Sequence, residues 1–135
     1  MVFLYVSTAD NKLSVVQVED ETGNLIKIVQ TIDPIVDPLP PDYNSRGRFR
    51  PATEWVEKHP KYSLLYAFTS FLSSHQAYVT TYRINKADGT LEKLGSCETG
   101  GLQAVHAAFS PDASILCIAH HNDGNLSFFD TKADN

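Results

Sequence analysis

The sequence predicts an all-β fold made of small antiparallel sheets that repeat along the chain, and three observations support this prediction. Short runs rich in Val, Ile, Tyr and Phe alternate with turns over the 135 residues. The pattern of residues 51–99 recurs in part on both sides of it. Single strands also carry apolar residues on both faces, as Val15 and Val16 do, so each sheet needs a neighbour on either side.

Residues 52–99 contain one complete unit of four strands in meander order. Its first strand ends before Pro60, which has no N–H group to donate to a neighbouring strand. Its second strand is a short apolar and aromatic run of the kind that is buried on both faces. Asp88-Gly89 supplies a tight turn between the third and fourth strands. The four strands are predicted at about residues 52–58, 63–69, 77–84 and 90–98.

The residues before this unit repeat its second, third and fourth strands. Leu4-Tyr5 aligns with Leu65-Tyr66, and Thr22-Gly23-Asn24-Leu25 aligns with Asp88-Gly89-Thr90-Leu91. These strands are predicted at about residues 2–7, 12–19 and 24–31, in a sheet that lacks a first strand.

The residues after the complete unit repeat its first three strands. His106-Ala107 lies in the first strand, and Ser110-Pro111-Asp112 forms the turn that follows it. The second and third strands are predicted at Ile115–Ala119 and Leu126–Phe129. The chain ends in KADN, where the complete unit has KADG and turns into its fourth strand.

A repeat of roughly fifty to sixty residues with four strands is typical of a β-propeller blade, because a lone four-stranded sheet cannot bury two apolar faces. We therefore expect one incomplete propeller domain over residues 1–135, with about two and a half blades. It comprises a partial blade (1–33), a loop rich in proline and arginine (34–51), a complete blade (52–99) and a second partial blade (100–135).

The charge balance and the N-terminus exclude several classes of protein. With 11 basic and 16 acidic residues the net charge is −5, which opposes binding to a phosphate backbone and excludes nucleic acid as a partner. Residues 1–11 become polar too early for a signal peptide or a membrane span, so we expect no membrane partner and a cytoplasmic location. Cys97 and Cys117 are interpreted as reduced, buried thiols, too few and too far apart for a disulfide framework or a metal knuckle.

The proline-rich loop carries a candidate anion site. Arg46, Arg48 and Arg50 stand at alternate positions and could present hydrogen-bond donors to a phosphate or a carboxylate. The alternative is a solvated loop in which these arginines pair with Asp33, Asp37 and Asp42. The sequence leaves both interpretations open.

The order of these motifs resembles the amino-terminal part of the lactonase family of seven-bladed β-propellers, which includes the propeller-type 6-phosphogluconolactonases and the fungal carboxy-muconate cyclases. The resemblance rests on residues 4–31, on Trp55 with His59-Pro60 and Leu65-Tyr66-Ala67, and on YRINKADGTLEKLG (82–95) and AVHAAFSPDASILCIAHHNDGNLSFFD (104–130). The chain departs from the family at Ala113, where the family usually has glycine, and at Ala119-His120-His121, where it favours Ala-Asn-Tyr.

The resemblance implies hydrolysis of a phosphosugar lactone, 6-phosphogluconolactone, to the sugar acid in the pentose phosphate pathway, without a metal or another cofactor. Such a reaction needs a general base to activate water, cations for the phosphate and donors for the developing oxyanion. His106 is the candidate catalytic residue, since a first strand lines the channel of a propeller and imidazoles titrate near neutral pH. The alternative for His106 is a structural imidazole.

Further substrate-binding candidates follow the second strand of the last unit. His120, His121 and Asn122 could reach the mouth of the channel, together with the three loop arginines. Adjacent residues of a strand point to opposite faces, so the two histidines cannot chelate one metal unless a turn intervenes, and we expect no metal site here.

The competing hypothesis is a non-catalytic propeller fragment that acts as a protein-interaction module. The sequence has no nucleophile elbow, no phosphate-binding glycine loop and no WD signature. We expect the chain to be part of a larger propeller, to show little or no lactonase turnover alone, and to self-associate through open strand edges at Phe3–Ser7 and Leu126–Phe129.

Overall fold

The structure is a computed structural model that describes residues 2–8, 10–34, 36, 51–71 and 76–131. In these residues the fold is all-β, as predicted, with ten strands in three antiparallel sheets. The strands are β1 (Val2–Thr8), β2 (Lys12–Val18), β3 (Leu25–Ile32), β4 (Pro51–Lys58), β5 (Leu64–Phe71), β6 (Gln76–Ile84), β7 (Leu91–Leu102), β8 (Ala104–Phe109), β9 (Ile115–His120) and β10 (Leu126–Asp130).

Each sheet is a simple meander. The orders are β1-β2-β3, β4-β5-β6-β7 and β8-β9-β10, so the middle sheet is the complete four-stranded blade. Most strand ends agree with the predicted ranges to within two residues. Strand β7 differs, since it continues through Gly100, which has a φ of 80°, and ends by pairing Leu102 with Gln76.

The core lies between the sheets. One apolar cluster joins the first and middle sheets through Leu13, Val15, Leu65 and Tyr82. A second joins the middle and last sheets through Phe68, Val79, Leu116 and Ile118. Strand β5 is therefore buried on both faces from Leu65 to Phe71, which confirms the interpretation of its apolar run.

Phe3 and Gly89 form a close contact between the first and middle sheets. Gly89 has a φ of 75°, and a Cβ atom built there would lie 2.3 Å from Cγ of Phe3. The Tyr5 hydroxyl donates a hydrogen bond of 3.2 Å to the Gly89 carbonyl. Glycine is thus required at residue 89 for two reasons, the turn geometry and the neighbouring aromatic ring.

Ala113, which stands where the family usually has glycine, adopts the backbone conformation of a glycine. Its φ is 60°, which is the left-handed conformation that glycine adopts without strain. The Ala113 amide donates to the Ser110 carbonyl in the turn between β8 and β9. The chain therefore keeps a glycine turn geometry with a buried methyl group in it.

The outer faces and edges remain apolar and exposed. In the described residues β1 pairs only with β2, and β10 pairs only with β9. Exposed apolar side chains on the outer strands include Leu4, Ile28, Leu126 and Phe128. The expected unpaired edges are therefore present in the described part of the chain.

The two thiols are free, but the expectation that both are buried is wrong for Cys97. Cys97 is exposed on β7, the outer strand of the middle sheet, whereas Cys117 is half-buried on β9. An outer strand has one face open, so an apolar run there does not guarantee burial. The described strands and turns include no helix long and apolar enough to cross a membrane.

Candidate functional site

Strands β4 and β8 begin the middle and last sheets, lie side by side, and share an irregularity that re-aims their side chains. A register shift interrupts β4 between Thr53 and Trp55 and β8 between Ala104 and His106. Trp55 and His106 each follow such a bulge, and each stands five residues before a turn proline, Pro60 or Pro111. Bulges recur next to functional sites because they turn one side chain out of the regular alternation.

The rings of Trp55 and His106 pack on each other across the two strands. Their centroids are 4.4 Å apart at an interplanar angle of 48°. Trp55 is half-buried against the apolar cluster of the middle and last sheets, and His106 is exposed. His106 is therefore not in a dry core, and its ring is available to solvent while Trp55 fixes its position.

Two glutamates flank this aromatic pair. Glu57 Oε2 accepts a hydrogen bond of 3.1 Å from Trp55 Nε1. Glu54 occupies the bulge of β4 and accepts 2.9 Å hydrogen bonds from Ser70 Oγ and from Gln103 Nε2. We call Glu54, Trp55, Glu57, Gln103 and His106 the β4–β8 seam.

Gln103 links β7 to β8 in a strained conformation. Its φ is 59°, which is unusual for a residue with a side chain. The side chain reaches Glu54, and the Gln103 carbonyl accepts from the His121 amide at 2.9 Å. Strained residues cluster at functional sites, where the surrounding contacts hold them in place.

The opposite face of β4 carries a buried polar network toward the first sheet. Thr53 Oγ1 donates to Asn11 Oδ1 at 3.1 Å and lies 3.2 Å from Thr69 Oγ1. Asn11 Nδ2 donates to Asp33 Oδ1 at 2.6 Å. Burial raises the pKa of Asp33, and the hydrogen bond from Asn11 offsets part of this. The network fastens the first sheet to the middle sheet.

The substrate-binding candidate His120 is buried. Its Nε2 lies 2.9 Å from Thr99 Oγ1, and that hydroxyl donates to the Ala77 carbonyl at 3.1 Å. Nδ1 of His120 is buried and has no hydrogen-bond partner in the described part of the chain. A Cβ at Gly101 would lie 2.4 Å from the ring, so glycine makes room for it.

The other candidates divide between the surface and residues outside the described ranges. His121 and Asn122 are exposed in the turn after β9, where His121 Nδ1 lies 3.1 Å from Asn122 Oδ1. Arg46, Arg48 and Arg50 lie outside the described residues, so their distance from His106 is not defined. The substrate-binding roles of all six residues stay predictions.

No metal site is found in the described ranges: no three His, Cys, Asp or Glu side chains lie close enough to hold an ion. A cavity of about 370 Å³ lies between the first and middle sheets at the end of β4 opposite to Glu54. It is lined by Phe3, Tyr5, Lys58 and Lys86 among others, and by no predicted site residue. We place the candidate site at the seam, since the groups suited to acid–base chemistry are there.

Sequence reasoning missed Glu54 and Gln103. Regular alternation along β4 gives no sign that Glu54 and Trp55 face the same neighbour, because the bulge adds one residue. The equal spacing of Trp55 and His106 from their prolines was the signal that could have paired the two strands.

Face-to-face sheets of three to four antiparallel strands, with the first strands β4 and β8 of the middle and last sheets side by side, define a β-propeller. Residues 44–135 match the family described as lactonase, seven-bladed beta-propeller. The chain belongs to this family. No curated protein matches the sequence significantly.

Solved structures of the same fold are similar to this chain at low sequence identity. A putative 6-phosphogluconolactonase from Bacteroides fragilis has a TM-score of 0.73 at 19% identity, over 95% of this chain and 31% of that one. The periplasmic gluconolactonase of Pseudomonas aeruginosa has 0.72 at 18%, over 95% and 32%. A protein from Lactobacillus plantarum has 0.75 at 13%, over 95% and 34%. The chain thus spans about a third of the length of the structures it matches.

Proposed function

We propose that this chain forms part of a lactonase propeller that hydrolyses a phosphosugar lactone, 6-phosphogluconolactone, to the sugar acid in the pentose phosphate pathway. The observation that supports this most is the exposed His106 ring on the first strand of its blade, which packs on Trp55 of the neighbouring blade, the residue that follows Glu54 in the bulge. The seam offers a base, an aromatic surface and hydrogen-bond acceptors for hydroxyl groups.

In this proposal His106 is the general base. Its neutral ring takes a proton from water, and the water oxygen attacks the lactone carbonyl carbon. The tetrahedral intermediate then collapses, the bond from this carbon to the ring oxygen breaks, and the proton moves to the departing oxygen as a hydroxyl. The product is a carboxylic acid. Arg46, Arg48 and Arg50 are proposed to hold the phosphate.

The alternative is an interaction module without catalysis. The exposed Leu126 and Phe128 on the unpaired edge of β10 favour it, since an apolar strand edge is a template for pairing with another chain. We propose that the protein is cytoplasmic, whereas the similar enzyme of Pseudomonas aeruginosa is described as periplasmic.

The test is a pH-stat assay of lactone opening by the full-length propeller that contains this chain. His106→Gln should lower kcat by about 10²–10⁴-fold, the usual contribution of a general base. Lys27→Gln, an exposed change on β3, is the control and should retain activity. Turnover of the His106→Gln protein at the unmodified rate would exclude His106 as the base, and absence of turnover in the unmodified protein would favour the interaction module.

A further inference from the structure

Among the residues that the structure describes, the side chains that donate hydrogen bonds to the seam glutamates are all neutral. The two glutamates receive their bonds from an indole N–H, a hydroxyl and a side-chain amide, contributed by Trp55, Ser70 and Gln103. In the described part of the chain no lysine or arginine is in hydrogen-bond contact with either carboxylate, so the negative charge of the two side chains is not paired there. A seam with this charge attracts donors and repels anions.

Glu54 also has hydrogen-bonding capacity left. An ionised carboxylate offers about four acceptor positions, and Ser70 and Gln103 fill one on each oxygen. The side chain is half-buried, so water reaches only part of it. The remaining positions suit a ligand that brings neutral O–H donors, and hydroxyl groups on adjacent carbons supply two of them at once.

The aromatic pair supplies the other half of a sugar site. Trp55 is wedged against the apolar cluster of the middle and last sheets, and His106 packs on it at 4.4 Å, so the pair forms a fixed, partly exposed surface. The C–H face of a sugar ring is apolar while its edge carries hydroxyls. A flat aromatic surface beside acceptors matches both parts of such a ring.

We infer that the β4–β8 seam is a subsite for the neutral, hydroxyl-bearing ring of the substrate, and that Glu54 makes it select neutral sugar over sugar acid. Gln103 is a positioning residue, since its strained backbone aims the amide at Glu54. The inference rests on the proposed lactone substrate, and it predicts that the seam binds the substrate more tightly than the product. Ring opening creates a carboxylate beside Glu54, so the product is repelled from the place where the substrate was held.

Trp55 is the sole tryptophan of the chain, so its fluorescence reports on the seam alone. The 135-residue chain is titrated at constant ionic strength with anhydroglucitol, a neutral cyclic polyol, and with gluconate, the open-chain anion. We expect saturable binding of anhydroglucitol and at least about ten-fold weaker binding of gluconate, since like charges at close range disfavour the anion. Equal binding of the two probes, or no saturable binding of anhydroglucitol, would overturn the inference.

Three variants locate the effect. Glu54→Gln keeps an acceptor for Gln103 and should reduce the preference for the neutral probe to within about three-fold, since it removes the charge at residue 54 and leaves only that of Glu57. Gln103→Gly removes the amide that holds Glu54, so it should weaken anhydroglucitol binding. Glycine suits the left-handed backbone, so this variant should not lower the unfolding midpoint. Glu21→Gln, in the exposed turn after β2, is the matched charge control and should change neither. An unchanged preference in Glu54→Gln would refute the role of Glu54.

The outcome is separable from that of the proposed function. Polyol binding without lactone turnover in the full-length protein would leave the subsite intact and remove the enzyme. Turnover that responds to His106→Gln, combined with no selectivity at Trp55, would leave the enzyme intact and remove the subsite.

Discussion

Replacing Gly89 by alanine should unfold the contact between the first and middle sheets, and the chain contains its own control. Gly23 stands at the equivalent turn of the first sheet with a φ of 73°, close to the 75° of Gly89. A Cβ at residue 23 meets nothing within 4 Å, whereas a Cβ at residue 89 lies 2.3 Å from Cγ of Phe3. The two substitutions therefore share the backbone strain and differ in the steric clash.

The magnitudes follow from these two terms. Left-handed backbone costs an alanine about 1 kcal/mol relative to glycine, so Gly23→Ala should lower the free energy of unfolding by about that amount. Gly89→Ala adds the displacement of a packed ring, which costs about 1–3 kcal/mol in overpacked cores. We expect a total loss of about 2–4 kcal/mol for Gly89→Ala, measured by urea unfolding at low protein concentration.

A double-mutant cycle isolates the clash. In a Phe3→Ala background no ring opposes the new methyl group, so Gly89→Ala should cost only about 1 kcal/mol there. Equal losses for Gly23→Ala and Gly89→Ala in the unmodified background, or a Gly89→Ala loss that is unaffected by Phe3→Ala, would refute the proposed packing of Phe3 under the turn.

Three more predictions concern other parts of the fold. Burial lowers the pKa of His59, whose Nδ1 accepts from the amides of Lys61 and Tyr62, so the unfolded chain binds a proton below about pH 6.5 that the folded chain does not. The free energy of unfolding should therefore fall as the pH drops below about 6.5, by up to about 1.4 kcal/mol per pH unit. Unfolding curves at about pH 7.5 and about pH 5.5 bracket this transition, and His59→Gln should reduce the difference between them. An equal difference in the variant would exclude His59 as the source of the pH dependence. Ala113→Val places a branched side chain at a φ of 60° and should cost about 2 kcal/mol or more, whereas Ala108→Val, at an exposed strand position, should be nearly neutral. Phe128→Lys should reduce self-association in sedimentation velocity by blocking the β10 edge, and a monodisperse monomer before substitution would contradict the open-edge interpretation.

The sequence was sufficient to predict which segments form strands and how they group, because that information is local. A buried strand is indicated by the apolar run at residues 64–70, and tight turns are indicated by the glycines at 23 and 89. Each of these structures depends on a few neighbouring residues. Cys97 shows the limit, since burial depends on whether a strand is inner or outer and not on its own residues.

The site was less predictable because it is built between blades. His106 was predicted as a candidate from its strand, but its ring partner Trp55 lies 51 positions earlier, and Glu54 occupies a bulge that shifts the alternation. His120 shows the converse, since its buried contact with Thr99 depends on the glycine at residue 101, which no local pattern reveals.

The matching bulges of β4 and β8 also provide a way to read the rest of a propeller of this type. In both blades the residue that packs across to its neighbour's first strand stands five places before the proline of the next turn, and the residue before it occupies the bulge. The turn proline is easy to recognise in a sequence, so it serves as the reference point for this count. Counting back from each further turn proline would list, blade by blade, the residues at the positions equivalent to Trp55 and His106, and a change at such a position would alter the site and the packing between two sheets together.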